Sequence, residues 1–197
     1  ADARLWLHPG ALAERHAVRD GVARSVAIPE AARAAVEALP DRRVRWTTAP
    51  AEIAGGMGVT GPVPRETSYE DTGGPFFLDP SGSRADPIID DQALWLHASR
   101  GLVVVVGCSH AGVINTVRHA LRVSGARRLH AVLGGFHLLQ ASATRLERTV
   151  QALRELDPDL VVPCHCTGDG AIETLLRALE PRAAAGEAGA VHEFPLD

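Results

Sequence analysis

Gly101-Leu102-Val103-Val104-Val105-Val106-Gly107-Cys108-Ser109-His110-Ala111-Gly112 decides the reading of this 197-residue chain. Five consecutive apolar residues, four of them β-branched, sit between glycines and predict a strand buried on both faces. The strand delivers Cys108, Ser109 and His110 at its C-terminal end. The spacing of Val113, Val117, Ala120 and Leu121 then predicts a helix over residues 113–123. The same grammar recurs twice. Leu129-His130-Ala131-Val132-Leu133 runs into Gly134-Gly135-Phe136-His137, and Leu160-Val161-Val162 runs into Pro163-Cys164-His165-Cys166-Thr167-Gly168. In open α/β layers the carboxyl ends of strands are where chemistry sits. The chain is therefore read as built around a convergence of His110, His137 and His165 at one rim.

Outward from this centre, Asp91–His97 alternates apolar and polar, and Ser99-Arg100-Gly101 has hairpin length, so this strand is expected to pair antiparallel with residues 102–106. Leu146, Val150, Leu153 and Leu156 mark one buried face of a helix over 142–156, with Ser142 or Thr144 as its cap. A further helix is expected over 169–179 and an edge strand over 191–194. Residues 183–189 read as low-complexity and mobile. Near the start, Arg4–His8 alternates as a strand, Ala11–Arg19 is expected to form a short helix, residues 29–39 a second helix, and 44–48 a strand. From 54 to about 90, Gly and Pro interrupt every few residues. A stretch this long is read as a functional loop with one short strand at 57–60, within a single domain spanning 1–197.

A chain of this length can bury a sizeable core. With 46% hydrophobic and 22% charged residues it reads as an ordinary globular protein. The net charge of −4 leaves no basic surface that would advertise nucleic acid. No apolar run approaches the roughly 20 residues that cross a bilayer, so no membrane partner is expected. Three cysteines, each beside a loop histidine, suit a reduced compartment better than a disulfide framework and point to the cytoplasm. The chain opens Ala1-Asp2-Ala3-Arg4 without Met and enters a strand almost at once, as a processed or truncated product would.

Neutral imidazole is the commonest protein ligand for zinc and related ions, and three histidines in one topological position form a candidate metal site. Cys164-His165-Cys166 cannot all face one ion, because adjacent strand-like residues point to opposite faces. Cys108, Cys164 and Cys166 are accordingly read as packing thiols, with ligation or redox work as the alternative. Arg65, in the long loop, is a candidate holder of a phosphate or carboxylate. Asp90 and Asp91 are assigned a structural role. Gly107–Gly112 is similar to a dinucleotide-binding turn but lacks the middle glycine.

Taken together, Gly107-Cys108-Ser109-His110-Ala111-Gly112, Gly134-Gly135-Phe136-His137-Leu138, Pro163-Cys164-His165-Cys166-Thr167-Gly168 and, upstream, Thr60-Gly61-Pro62-Val63-Pro64-Arg65 resemble the metallo-β-lactamase-fold hydrolases. The likeness extends over roughly residues 5–179. It is narrower still to a subgroup labelled dihydropterin ribofuranosyl-aminobenzene phosphate synthase. The resemblance implies an αββα sandwich carrying two divalent ions, expected to be zinc, at the sheet edges. It implies His110 as a ligand of the first ion and His165 as a ligand of the second. His137 falls where relatives often place a bridging Asp, and is expected to ligate or to act on substrate or water. Arg65 and Thr167 are the expected contacts to an anionic small-molecule substrate. The implied reaction is attack of an activated water on an ester, phosphoester or related bond, with a pterin-like substrate in view.

The hallmark His-x-His-x-Asp-His motif of that family has no match in this sequence. In relatives it precedes the segment resembling Leu5-Trp6-Leu7-His8-Pro9. The resemblance thus implies a sandwich that is N-terminally incomplete, with poor metal occupancy and no activity as the 197-residue chain alone. Two competing expectations stand beside the hydrolase. One is a non-catalytic small-molecule- or partner-binding module of the same fold. The other is a nucleotide-binding α/β domain, which requires a phosphate at the start of the Val113 helix.

Overall fold

The structure is a computed structural model that describes residues 3–196. Its centre is a six-stranded sheet of β5 (Ala51–Ala54), β6 (Met57–Val59), β8 (Ala93–Ala98), β9 (Gly101–Val106), β10 (Leu129–Gly135) and β11 (Leu160–Cys164). The strand order is β11-β10-β9-β8-β6-β5. β9, β10 and β11 run parallel, as β-strands joined through helices must, while β8 returns antiparallel on β9. Two smaller sheets complete the set. β1 (Leu5–Leu7) pairs parallel with β4 (Val44–Trp46), and β2 (His16–Arg19) lies between β3 (Val22–Ser25) and β7 (Phe76–Phe77).

Four α-helices accompany the sheets: α1 (Glu30–Glu37), α2 (Val113–Ser124), α3 (Ala143–Leu156) and α4 (Asp169–Leu179). Period-2 alternation along β9 sorts its side chains. Leu102, Val104 and Val106 face the main core with Ile114 and Val117 of α2, Leu153 of α3 and Leu175 of α4. Val103 packs on the opposite face in a smaller cluster with Ala98 and Ala131. The strand is not sealed on both faces along its whole length, however. Val105 is 38% exposed, because the second face opens there into a cavity.

Two terminal expectations are corrected. Residues 11–19 do not form a helix: a 3-10 turn at Pro9–Leu12 leads into β2, and Asp20-Gly21, both with positive φ, turn the chain into β3. Asp-Gly between alternating runs is a two-residue hairpin signal, and it overrides the weak helical preference of the alanines. Residues 191–194 do not form an edge strand. The free edge of β11 is already occupied by residues 182–186, through Ala184 N–H to Val161 O at 3.0 Å and Gly186 N–H to Pro163 O at 3.1 Å. That pairing also places part of the stretch read as mobile against the sheet. Phe194 instead packs edge-on against His130, 5.4 Å between centroids.

The long segment between β6 and β8 is anchored by a buried carboxylate. Glu70 accepts from the Ile114 and Asn115 N–H groups, each at 2.9 Å, and from the Thr67 hydroxyl at 2.9 Å. These are the unsatisfied donors of the first turn of α2, where the helix dipole favours negative charge. Asn115 reciprocates, its Oδ1 accepting from the Glu66 and Thr67 N–H groups. A methyl at Gly112 would overlap the Glu70 side chain. Replacing Glu70 with Ala leaves two buried helix donors without an acceptor, and is expected to lower stability by about 3 kcal/mol, read as a shift of the urea-unfolding midpoint.

Candidate functional site

The rim formed by the C-terminal ends of β9, β10 and β11 is laced together before any chemistry is considered. Gly135 N–H donates to Gly107 O at 2.9 Å, and the buried Ser109 hydroxyl donates to Gly135 O at 2.9 Å. Phe136 N–H donates to the Thr167 hydroxyl at 3.0 Å, which donates onward to Cys164 O at 2.7 Å. Ser109, His137 and His165 all hold left-handed backbone conformations, with φ of 52°, 48° and 50°. Non-glycine residues in that region are strained and gather at functional sites. Each strand thus ends in an abrupt turn, which buries Ser109, half-buries His137 and exposes His165.

Two of the three expected histidines meet. The His110 and His137 rings lie 4.2 Å apart between centroids, and Phe76 packs edge-on to His110 at 5.2 Å. Both rings are oriented by consecutive carbonyls of the long loop. His110 Nδ1 bonds Thr72 O at 2.9 Å, and His137 Nε2 bonds Gly73 O at 3.2 Å. A carbonyl only accepts, so each of those nitrogens carries the proton. In the neutral rings the lone pair then lies on Nε2 of His110 and on Nδ1 of His137. A backbone carbonyl holding one ring N–H is the usual support for a metal-ligating imidazole. His137 Nδ1 is buried and has no hydrogen-bond partner among the described residues.

His165 does not join that pair. It is exposed and lines a cavity of about 410 Å³ with Val105, Leu133, Cys164 and His192. His110 lines a different cavity of about 360 Å³ with Arg15, Phe76, Asp91 and Cys108. The chain leaves β11 in a 3-10 turn over His165–Thr167, so Cys164 and His165 look into one cavity while Cys166 lies toward His137. Cys108, His137 and Cys166 form a group whose donor atoms all lie within 4.8 Å of one another. The neighbouring Cys108 thiol, helped by the His137 backbone N–H, lowers the Cys166 thiol to about 7 against the opposing effect of burial.

The remaining candidates fall into supporting positions. Thr167 is fully buried with its hydroxyl engaged in both directions, so it cannot reach a substrate and instead ties Phe136 to Cys164. Arg65 is exposed, but two of its N–H groups are committed to His110 O at 2.7 Å and Pro87 O at 2.8 Å, which steadies the His110 turn. Asp90 is ion-paired with Arg15, and Asp91 accepts from Ala111 N–H at 2.6 Å. Burial pushes the Asp91 carboxyl up. The start of α2 offers nothing to a nucleotide phosphate, because Glu70 already occupies it. Thr72, Gly73 and Phe76 escaped the sequence reading. Asp71-Thr72-Gly73 carries the only signal, a turn closed by Gly73 N–H on Asp71 Oδ1 at 2.8 Å.

Six strands with helices α2, α3 and α4 on one face, and a rim of histidines at the strand ends, define a metallo-β-lactamase-like fold. The structure is similar to Tm1679, a metal-dependent hydrolase of the β-lactamase superfamily, with a TM-score of 0.79 and 29% identity over 95% of this chain and 69% of that one. Two curated proteins of Methanocaldococcus jannaschii are similar in sequence. One is 7,8-dihydropterin-6-methyl-4-(beta-D-ribofuranosyl)-aminobenzene-5'-phosphate synthase, 37% identical over 83 residues, which is 42% of this chain and 28% of that protein. The other is the uncharacterized protein MJ0448, 37% identical over 118 residues, 59% of this chain and 42% of that protein. The chain thus matches less than half the length of either curated relative. No protein-family profile matches it. Among the described residues no helix is long and apolar enough to cross a membrane.

A thiol lowered toward neutrality is half ionised near pH 7, and only the thiolate is nucleophilic. In chelator-treated protein the alkylation rate of Cys166 by iodoacetamide should rise with pH and reach half its maximum at about pH 7. Replacing Cys108 with Ala should move that midpoint upward. Peptide mass spectrometry reads both rates.

Proposed function

We propose that this chain carries the rim of a metal-dependent hydrolase acting on a small molecule, with residues 1–197 belonging to one metallo-β-lactamase-like domain. The observation that supports it best is the pair of imidazoles held by consecutive loop carbonyls. His110 lines a cavity that also holds Arg15, Asp90 and Asp91, and Thr72 O occupies its Nδ1, which leaves Nε2 as the nitrogen a metal can take. His110 is the proposed ligand of one divalent ion and His165 of a second, each in its own cavity at the same sheet edge. Zinc is the proposed metal for these imidazole donors. His137 is the proposed ligand or acid/base group beside His110. Arg65 positions the His110 turn and offers its remaining donors to an anionic substrate group.

A bound divalent ion supplies Lewis acidity and makes a water nucleophilic near neutral pH. The chain's own residues fix where this happens. Phe76 covers the edge of the His110 ring, and Asp91 holds the Ala111 N–H and thereby the turn that carries His110. The proposed substrate bond is an ester or phosphoester, and a pterin-like phosphorylated molecule is the proposed substrate to try first, a choice supported by the likeness to the dihydropterin phosphate synthase.

Metal analysis of the intact protein, together with its hydrolysis of bis(p-nitrophenyl) phosphate, tests this reading. Chelator should abolish turnover and added zinc should restore it. His110→Ala and His165→Ala should each reduce bound metal and lower turnover on the order of 100-fold. Equal metal content in the wild type and both variants would overturn the assignment.

A further inference from the structure

The function above leaves two half-buried thiols unused, and both lie against His137. Cys108 follows β9, His137 follows β10, and Cys166 follows β11, so the turns after three neighbouring parallel strands each contribute one donor atom. We propose that Cys108, His137 and Cys166 form a three-ligand site for one thiophilic divalent ion of the zinc type, separate from the proposed ligands His110 and His165. Of the two roles left open for His137, this assigns ligation.

Four observations carry the proposal. The donor atoms lie within 4.8 Å of one another. Ligands around one tetrahedral zinc sit about 3.5–3.8 Å apart, so a contraction of roughly 1 Å closes the set. The proton of His137 is fixed on Nε2 by Gly73 O, which leaves Nδ1 buried, unprotonated and without a partner. A buried acceptor with nothing to accept is costly, and a cation relieves it. The donor set is also held in place from behind. A methyl at Gly135 would lie 2.7 Å from Cys166 Sγ, so the strand approaches the thiols as closely as a glycine allows, and a methyl at Gly73 would overlap the His137 ring. Finally, two sulfurs and one imidazole are a soft set that suits zinc and rejects magnesium or calcium. Three protein ligands leave a fourth position open.

Cobalt is the probe, used with the whole chain after chelator treatment in a reducing buffer. One equivalent of Co2+ should produce a near-ultraviolet thiolate-to-cobalt charge-transfer band that saturates at one ion per chain and is displaced by Zn2+. Cys108→Ser, Cys166→Ser and His137→Ala should each weaken cobalt binding about tenfold or more. His110→Ala and His165→Ala should keep the band, so the site stands or falls apart from the hydrolase reading. A second measurement needs no variant. Zinc should protect Cys108 and Cys166 of the wild-type chain from iodoacetamide while Cys164 stays reactive. Absence of the band, its survival in a Cys108→Ser/Cys166→Ser double variant, or equal alkylation of all three cysteines with and without zinc would each overturn the proposal.

Discussion

Two consecutive backbone carbonyls, Thr72 O and Gly73 O, set the chemistry of this molecule. A histidine at a strand end is free to rotate about two torsions and to carry its proton on either nitrogen. Bonding one ring nitrogen to an obligate acceptor removes both freedoms at once. Because the carbonyls are adjacent, the two rings they hold are brought within 4.2 Å of each other. Gly73, with φ of 75°, is what allows the chain to turn there with the His137 ring pressed against it.

That clamp is useful only if the loop carrying it is itself fixed, and the loop has little regular structure to hold it. Its anchor is electrostatic. Glu70 places a carboxylate on the buried donors at the start of α2, and Asn115 Oδ1 accepts two hydrogen bonds from the loop backbone. A helix terminus that in other α/β proteins waits for a ligand phosphate is here satisfied by the chain itself. The same contact that steadies the loop also removes a nucleotide-binding reading of the Gly107–Gly112 turn.

The parallel arrangement of β9, β10 and β11 explains why one rim holds several donors, and the tight turns after each strand divide them among separate surroundings. His110 and Cys108 line one cavity and His165 another, while the donor atoms of Cys108, His137 and Cys166 lie within 4.8 Å of one another. The candidate donors of the rim thus face more than one set of surroundings. This fits the likeness to a metal-dependent hydrolase of the β-lactamase superfamily, whose structure covers nearly all of this chain.

The apolar runs and their glycine brackets made β9, β10, β11 and the helices α2–α4 legible from the residues alone, because period-2 and period-3.6 patterns report burial directly. The placement of His110, His137 and His165 past strand ends was legible for the same reason. The hairpin at Asp20-Gly21 was also written in the chain, but the neighbouring alanines masked it. Beyond reach were the contacts that join distant segments: Thr72 to His110, Glu70 to Asn115, Cys166 to Cys108. No periodicity encodes a backbone carbonyl meeting a ring 38 residues away. Thr167 shows the same limit in reverse, since its motif suggested a substrate contact while packing buried it completely. Local pattern specifies which residues reach the rim; which way each one faces depends on long-range hydrogen bonds that exist only once the layers have assembled.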